Sequence, residues 1–246
     1  MDKKYAILGD IHANLPALRA VLEDARSQSA TDFICVGDVV GYNASPGECV
    51  DFVRELGAIT VQGNHDHYCV SGEPLDDFHP LAASVVEWTR NQLSDDQAAW
   101  LRGLDYKRVI PGAMFSIVHS TFDMPSLWGY VFEAIDADSH FVYQTTPLCF
   151  HGHTHVPVVF EKKGQSEAVR MAPTTFQVPF GRKYFVNVGS VGQPRDGIPD
   201  ASYVLYDLKT RTVEFRRLPY DIAETQALIR AAGLPDRLAT RLEIGR

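Results

Sequence analysis

Three short apolar runs in the first quarter of the chain each end the same way. The run at 5–9 leads into Gly9-Asp10-Ile11-His12, that at 33–36 into Gly37-Asp38-Val39-Val40-Gly41, and that at 59–62 into Gly63-Asn64-His65-Asp66. Between them, residues 15–28 and 46–56 carry helical periodicity, with Leu15, Leu18, Val21 and Leu22 on one side. Buried strands alternating with amphipathic helices imply a largely parallel sheet. In such sheets ligands bind beyond the carboxyl ends of the strands. Asp, His, Asp, Asn and His are therefore delivered to one edge.

The rest of the chain extends the pattern. Helices are predicted near 80–92, 95–103 (capped by Ser94) and 133–144, with a helical pattern from 222 to about 242. Strands are predicted near 106–110, 113–119, 148–152, 157–161, 167–171, 184–188, 202–207 and 212–217. The expectation is one α/β domain over 1–246 whose second half adds a more antiparallel sheet. The length of 246 residues and 45% hydrophobic content allow a sizeable core.

The later strands also end in imidazoles: Ile117-Val118-His119, and Phe150-His151-Gly152-His153-Thr154-His155. Carboxylate, amide oxygen and imidazole suit Mn, Fe, Zn or Co better than Ca or Cu(I). No thiolate joins them, which disfavours a structural zinc site. There are more candidates than one ion needs. Two divalent transition-metal ions, Mn or Fe favoured, sharing Asp38 as a bridge account for the number.

A net charge of −8 argues against a broad basic face for nucleic acid. It leaves room for a small anionic substrate held by cations, which dominate the local field. The four cysteines, Cys35, Cys49, Cys69 and Cys149, have no C-x-x-C spacing and read as reduced core thiols of a cytoplasmic protein. The opening MDKKYAILGD carries no signal-peptide pattern, and no apolar run approaches the ~20 residues of a membrane span.

The motif set at 9–12, 37–41, 63–66, His119 and 152–155 resembles the calcineurin-like metallophosphoesterases. The stretch from Asn187 to Gly197 is similar to a signature of their small bacterial and archaeal members, with Val188 where that signature usually has Pro. The resemblance implies a four-layer αββα sandwich with two mixed sheets and a di-metal centre between them. It implies one metal on Asp10, His12 and His155, another on Asn64, His119 and His153, and Asp38 bridging. It implies His65 as general acid, with Asp66 orienting it, and hydrolysis of a phosphoester by in-line attack of metal-activated hydroxide. The protein-phosphatase branch has an Asp-Arg pair where Gly41 and Tyr42 stand here, so a phosphoprotein substrate is not expected. A small, nucleotide-like diester or anhydride is. A broad-range phosphomonoesterase is the alternative, and a non-catalytic metal-binding scaffold the reading from another class.

Tyr42, Arg195 and His151 are the candidate substrate contacts. Arg195 either meets a second phosphate or carboxylate of the substrate or pairs with a local acid such as Asp196. His151 either serves the site edge or packs. Trp128 and Tyr130 either stack a base or form a hydrophobic flap. His67 reads as an exposed loop residue, His79 as a helix-start residue and His140 as a surface residue.

Overall fold

β1 (Lys4–Leu8), β2 (Asp32–Cys35) and β3 (Ile59–Thr60) run parallel, joined by α1 (Leu15–Ser27) and α2 (Pro46–Glu55). The computed structural model describes residues 3–76 and 80–246, so His79 lies outside the described residues. After β3 come α3 (Asn64–Ser71), α4 (Pro80–Arg90), α5 (Asp95–Arg102), β4 (Lys107–Ile110), β5 (Phe115–Val118), α6 (Ala134–Tyr143) and β6 (Leu148–His151). Then follow β7 (Val158–Lys163), β8 (Val169–Met171), β9 (Phe176–Gln177), β10 (Arg182–Asn187), β11 (Ala201–Asp207), β12 (Thr212–Leu218), α7 (Ile222–Ala231) and α8 (Asp236–Thr240).

The strands form two six-stranded mixed sheets, ordered β3-β2-β1-β11-β12-β9 and β4-β5-β6-β10-β7-β8. The strands from β4 onward thus build the whole second sheet, as expected, and also lend β9, β11 and β12 to the first. β11 returns to pair antiparallel with β1, Lys4 facing Asp207, because its buried Val204 and Tyr206 share the face of Ile7 and Tyr5. In the other sheet β5, β6 and β10 are parallel.

The sheets face each other across an apolar layer that includes Ile7, Ile34, Val36, Phe115, Ile117, Phe150 and Val186. Phe115 meets Tyr5 edge-on at 5.1 Å and Phe150 at 5.4 Å. Each such side chain, fully buried, contributes about 1.5–3 kcal/mol. Outside the first sheet, Leu18, Val21, Leu22, Val50 and Val53 of α1 and α2 pack on Leu8 and Leu205. Outside the second, Ala137 and Phe141 of α6 pack on Cys149, Phe160 and Phe185. Helix, sheet, sheet, helix is the four-layer sandwich expected.

The local signals hold in part. Ser94 caps α5, its Oγ accepting from Gln97 N at 3.2 Å. The predicted C-terminal helix is broken at Gly233, whose φ is 71°, and Pro235, so α8 starts afresh. Pro lacks the N–H that a continuing helix needs. α3 escapes the sequence pattern because its residues NHDHYCVS show no clear apolar face. All four cysteines are buried and unpaired, and burial pushes their thiols up. Among the described residues no helix is long and apolar enough to cross a membrane.

His140 departs from expectation, and His151 takes the packing alternative. His140 is not on the surface but buried on the inner face of α6, accepting from Phe122 N at Nδ1 (3.0 Å) and donating from Nε2 to Gln144 (3.0 Å). Its ring stacks on Phe185 at 3.5 Å, and His151 stacks on Phe185 at 3.7 Å. Two rings parallel to one ring at these separations lie on its opposite faces, so Phe185 is sandwiched. His151 shares the face of Cys149 on β6, not that of His153, because the strand ends at His151 and the chain then turns.

Burial holds the His140 imidazole down to about 3 and that of His151 well below its usual value. In the unfolded chain each binds a proton below about pH 6.5. Between that pH and about 3 the unfolded state thus holds the extra proton, and stability falls as pH falls. His140→Gln should reduce the slope of unfolding free energy against pH, between pH 4 and 6, by up to about 1.4 kcal/mol per pH unit. Denaturant melts across that range check this; an unchanged slope would contradict it.

Candidate active site

The carboxyl ends of β1, β2, β3, β5 and β6 meet at one rim, where the chain leaves each strand and bends sharply. Asp10, His12, Asp38, His153 and His155 have φ of 50°, 48°, 52°, 70° and 61°. This left-handed region costs a non-glycine residue roughly 1–3 kcal/mol, and Asp and His are among those that visit it most. The bends turn the side chains inward, where all five are buried.

Two groups result. The ligand-type atoms of Asp10, His12, Asp38 and His155 lie within 4.8 Å of one another, as do those of Asp38, His119 and His153. Asp38 belongs to both: its Oδ2 is 3.5 Å from His12 Nε2 and 3.3 Å from His119 Nε2. Its Oδ1 accepts from His65 N at 2.8 Å. Asn64 joins the second group, its side-chain oxygen 3.0 Å from His119 Nε2 and 3.0 Å from His153 Nδ1.

Each of the four imidazoles has one ring N–H tied to a backbone carbonyl. His12 Nδ1 donates to Val40 O (3.0 Å), His119 Nδ1 to Val36 O (2.9 Å), His155 Nδ1 to Gln193 O (2.6 Å) and His153 Nε2 to Trp128 O (2.9 Å). A carbonyl only accepts, so the tautomer is settled and the other nitrogen of each ring faces the cluster. His12 Nε2 and His155 Nε2 stand 3.0 Å apart. Burial holds both rings far below their usual pKa and therefore neutral, so lone pair faces lone pair. That arrangement is unfavourable unless a cation is shared. At His119, burial is outweighed by the Asp38 and Asp10 carboxylates, which push it up to about 9. A proton there is what a bound metal would displace. The donor set and its orientation fit divalent transition metals.

Glycines hold the approach. A Cβ on Gly63 would sit 2.2 Å from Asp38 Oδ1, and one on Gly152 would sit 2.2 Å from Asp10 Oδ2. The glycine between His151 and His153 is thus required for the backbone to pass the Asp10 carboxylate.

His65 differs from the other site histidines. Its Nδ1 is buried and pairs with nothing among the described residues. Its ring packs against those of His12 (4.9 Å) and Tyr42 (4.4 Å), and burial holds it down to about 4. Asp66 does not orient this ring, contrary to expectation. Its Oδ1 accepts from Val39 N (2.8 Å) and Val40 N (3.1 Å), and its Oδ2 from Gly63 N (3.1 Å). Asp66 therefore ties the start of α3 to the loop after β2, which fixes Asp38, Asn64 and His65 relative to one another.

A cleft of about 350 Å³ opens over this cluster, lined among others by Asp38, Tyr42, Asn64, His65, Trp128, Tyr130 and Arg195. Tyr42 forms its wall. Arg195 lies over the Tyr42 ring at 5.4 Å and donates to Gln193 at 2.9 Å. It does not pair with Asp196, which is engaged by Arg217. His151 is absent from the cleft, packed as described above. His67 is on α3 rather than in a loop and is half-buried, 3.0 Å from Glu73 and 5.8 Å from the Trp128 ring. The segment around Trp128 supplies the carbonyl that sets His153, a role no side-chain pattern reveals. Tyr130 stacks on His153 at 4.2 Å. The sequence reading also missed Arg237 and Arg241, which stand beside the cleft; their i, i+4 spacing in a helical stretch was the available signal.

The family model described as the calcineurin-like phosphoesterase superfamily domain matches residues 4–211. An uncharacterized protein of Methanocaldococcus jannaschii is 36% identical over 243 residues, 98% of each chain. The crystal structure of a metallophosphoesterase from Sphaerobacter thermophilus superposes with a TM-score of 0.90 at 39% identity, covering 100% of both chains. That of a hypothetical protein from Pyrococcus horikoshii gives 0.79 at 19% identity, over 99% of this chain and 98% of the other, a likeness of fold.

Gly63→Ala should lower Mn affinity about 10–100-fold, the usual effect of disturbing the groups that hold metal ligands, while the protein remains folded. Metal content after gel filtration checks this; wild-type content in the variant would show that the close approach to Asp38 is not needed.

Proposed function

Since this chain belongs to the calcineurin-like phosphoesterase superfamily, whose members are metal-dependent phosphoester hydrolases, we propose that it hydrolyses a diester or anhydride bond of a small phosphorylated substrate at the cleft above Asp38. In this reading Asp10, His12 and His155 hold one divalent ion, Asn64, His119 and His153 a second, and Asp38 both. Bound there, the two cations would neutralise the phosphoester and acidify water for attack on phosphorus; Mn and Fe are favoured among the metals these donors suit.

The observation that carries the reading is the contrast among the five imidazoles. Four have one ring N–H locked on a backbone carbonyl and the other nitrogen turned inward, the posture of ligands. Of the five, His65 is the one with no ring N–H committed to a partner among the described residues, and it lines the cleft. It is the group free to move a proton. In the protein alone it is neutral near pH 7, because burial disfavours its charge. An anionic phosphoester beside it favours the protonated form, so the proton for the departing alkoxide is taken up with the substrate. Asp66 acts on His65 only through the backbone, by holding the first turn of α3.

Substrate class is supported by the far wall. Tyr42 fills the place where the protein-phosphatase branch carries a phosphate-gripping arginine, and Arg195 reaches over its ring from the loop after β10. The cationic contact thus sits at the side of the cleft, suited to a group beyond the reacting phosphate. A nucleotide-like molecule such as a dinucleoside polyphosphate has such groups, and Trp128 and Tyr130 offer aromatic faces for a base.

His65→Ala should retain the wild-type metal content and lose roughly 10²–10⁴-fold in turnover of an alkyl phosphodiester. Loss of metal instead would make His65 a ligand. The paired assay with Mn-loaded protein compares bis-p-nitrophenyl phosphate with p-nitrophenyl phosphate, and the diester is expected to be preferred. A monoester preference would favour a broad-range phosphomonoesterase; no turnover of either with metal bound would favour a scaffold.

A further inference from the structure

Beside the catalytic cleft lies a second cavity of about 610 Å³, and the two share Tyr42, Ala82 and Arg195. Its far wall comes from the C-terminal stretch after α7, with Arg237 on α8 and Arg241 and Arg246 beyond it. The family match ends at residue 211, so this wall is built by a part of the chain outside it.

The cavity concentrates positive charge in a protein whose net charge is −8. Arg195 and Arg241 both lie over the Tyr42 ring, at 5.4 and 5.9 Å from its centroid. The aromatic ring offsets part of their mutual repulsion but does not neutralise them. The acids nearest in sequence are engaged elsewhere: Asp196 with Arg217, Asp236 with Arg230, and Glu243 with Gln226. Among the described residues no carboxylate side chain forms an ion pair with Arg195, Arg237 or Arg241. Arg195 Nε is buried without a partner among the described residues. Arg241 uses Nε on the main-chain oxygen of Arg246, and burial together with the charge of Arg195 holds it down to about 10. With Arg195 and Arg237 lacking a carboxylate partner among the described residues and Arg241 meeting only the Arg246 main-chain oxygen, the convergence of guanidiniums is costly in the absence of an anion. Their planar forks match the oxygens of a phosphoryl group.

We propose that Arg195 and Arg241, with Arg237 at the rim, form a second anion subsite that holds a phosphoryl group of the substrate other than the one being hydrolysed. The inference rests on the phosphoesterase reading and narrows it: the preferred substrate carries at least two phosphoryl groups, one over Asp38 and one on the far side of Tyr42. Tyr42 is the divider, with its ring 4.4 Å from that of His65 on the catalytic side.

The subsite is tested apart from the metals. Metal-stripped protein is titrated with inorganic pyrophosphate by calorimetry. Wild type should bind it, and Arg241→Gln should weaken binding by about tenfold or more, the scale of losing a charge-assisted hydrogen bond. Arg237→Gln, which alters only an exposed side chain and leaves the packing intact, should weaken binding in the same direction by less. With Mn-loaded enzyme, Arg241→Gln should lower kcat/KM for diadenosine tetraphosphate at least tenfold more than for bis-p-nitrophenyl phosphate, which has one phosphate. No binding by wild type, unchanged binding by both variants, or an equal fall on both substrates would overturn the subsite. If wild type fails to bind pyrophosphate yet hydrolyses bis-p-nitrophenyl phosphate, only the subsite is lost. If the subsite binds pyrophosphate but no ester is hydrolysed, the phosphoesterase reading fails instead.

Discussion

Four hydrogen bonds from imidazole N–H groups to backbone carbonyls decide what this protein can do. They come from His12, His119, His153 and His155, and their acceptors are Val40, Val36, Trp128 and Gln193. Each bond fixes a tautomer and a ring direction before any ligand arrives, which is the preorganisation a metal site needs. The acceptors lie on different segments: Val40 follows the strand next to that of His12 in the same sheet, whereas Val36 and His119 follow strands of opposite sheets, so that bond depends on the sheets packing face to face. The apolar layer between the sheets and the polar rim are thus one construction. The same packing that excludes water from Phe115 and Phe150 places the Val36 carbonyl behind His119.

The rim carries its own cost. Five residues of the cluster adopt left-handed backbone conformations, and several buried polar groups face like partners. A core optimised only for stability would hold none of this. The burial of α1 and α2 on one side and α6 on the other offsets it. Asp66 spends its carboxylate on three backbone N–H groups to hold two loops together, and that loop junction carries Asp38, Asn64 and His65 in register.

Much of the site was legible in the sequence, and for a physical reason. A parallel strand must end where its ligand-bearing loop begins, so glycine-polar pairs after apolar runs mark the rim directly. That is why Asp10, Asp38 and Asn64 could be placed together from spacing alone. Legibility failed where contacts are long-range or backbone-mediated. His140 sits in a polar stretch, yet α6 turns it inward onto Phe185. His151 stood between site edge and packing, because period-two reasoning stops at the last residue of a strand and could not relate it to His153. Asp66 looked like a partner for His65, while its real partners are main-chain amides that carry no sequence signature. β11 joined the first sheet because of which face its side chains bury, and the sequence pattern of a single strand does not name its neighbour. The arginines after α7 were visible as residues, but only the fold sets them against Tyr42.

The central claim is that Asp38 is common to two metal positions. The direct measurement is the number of Mn ions per chain, by elemental analysis after gel filtration, in wild type and in Asp38→Asn. The account predicts two per wild-type chain and the loss or weakening of both together in the variant. A wild-type chain that saturates at one ion, or a variant that keeps two tightly bound, would contradict it.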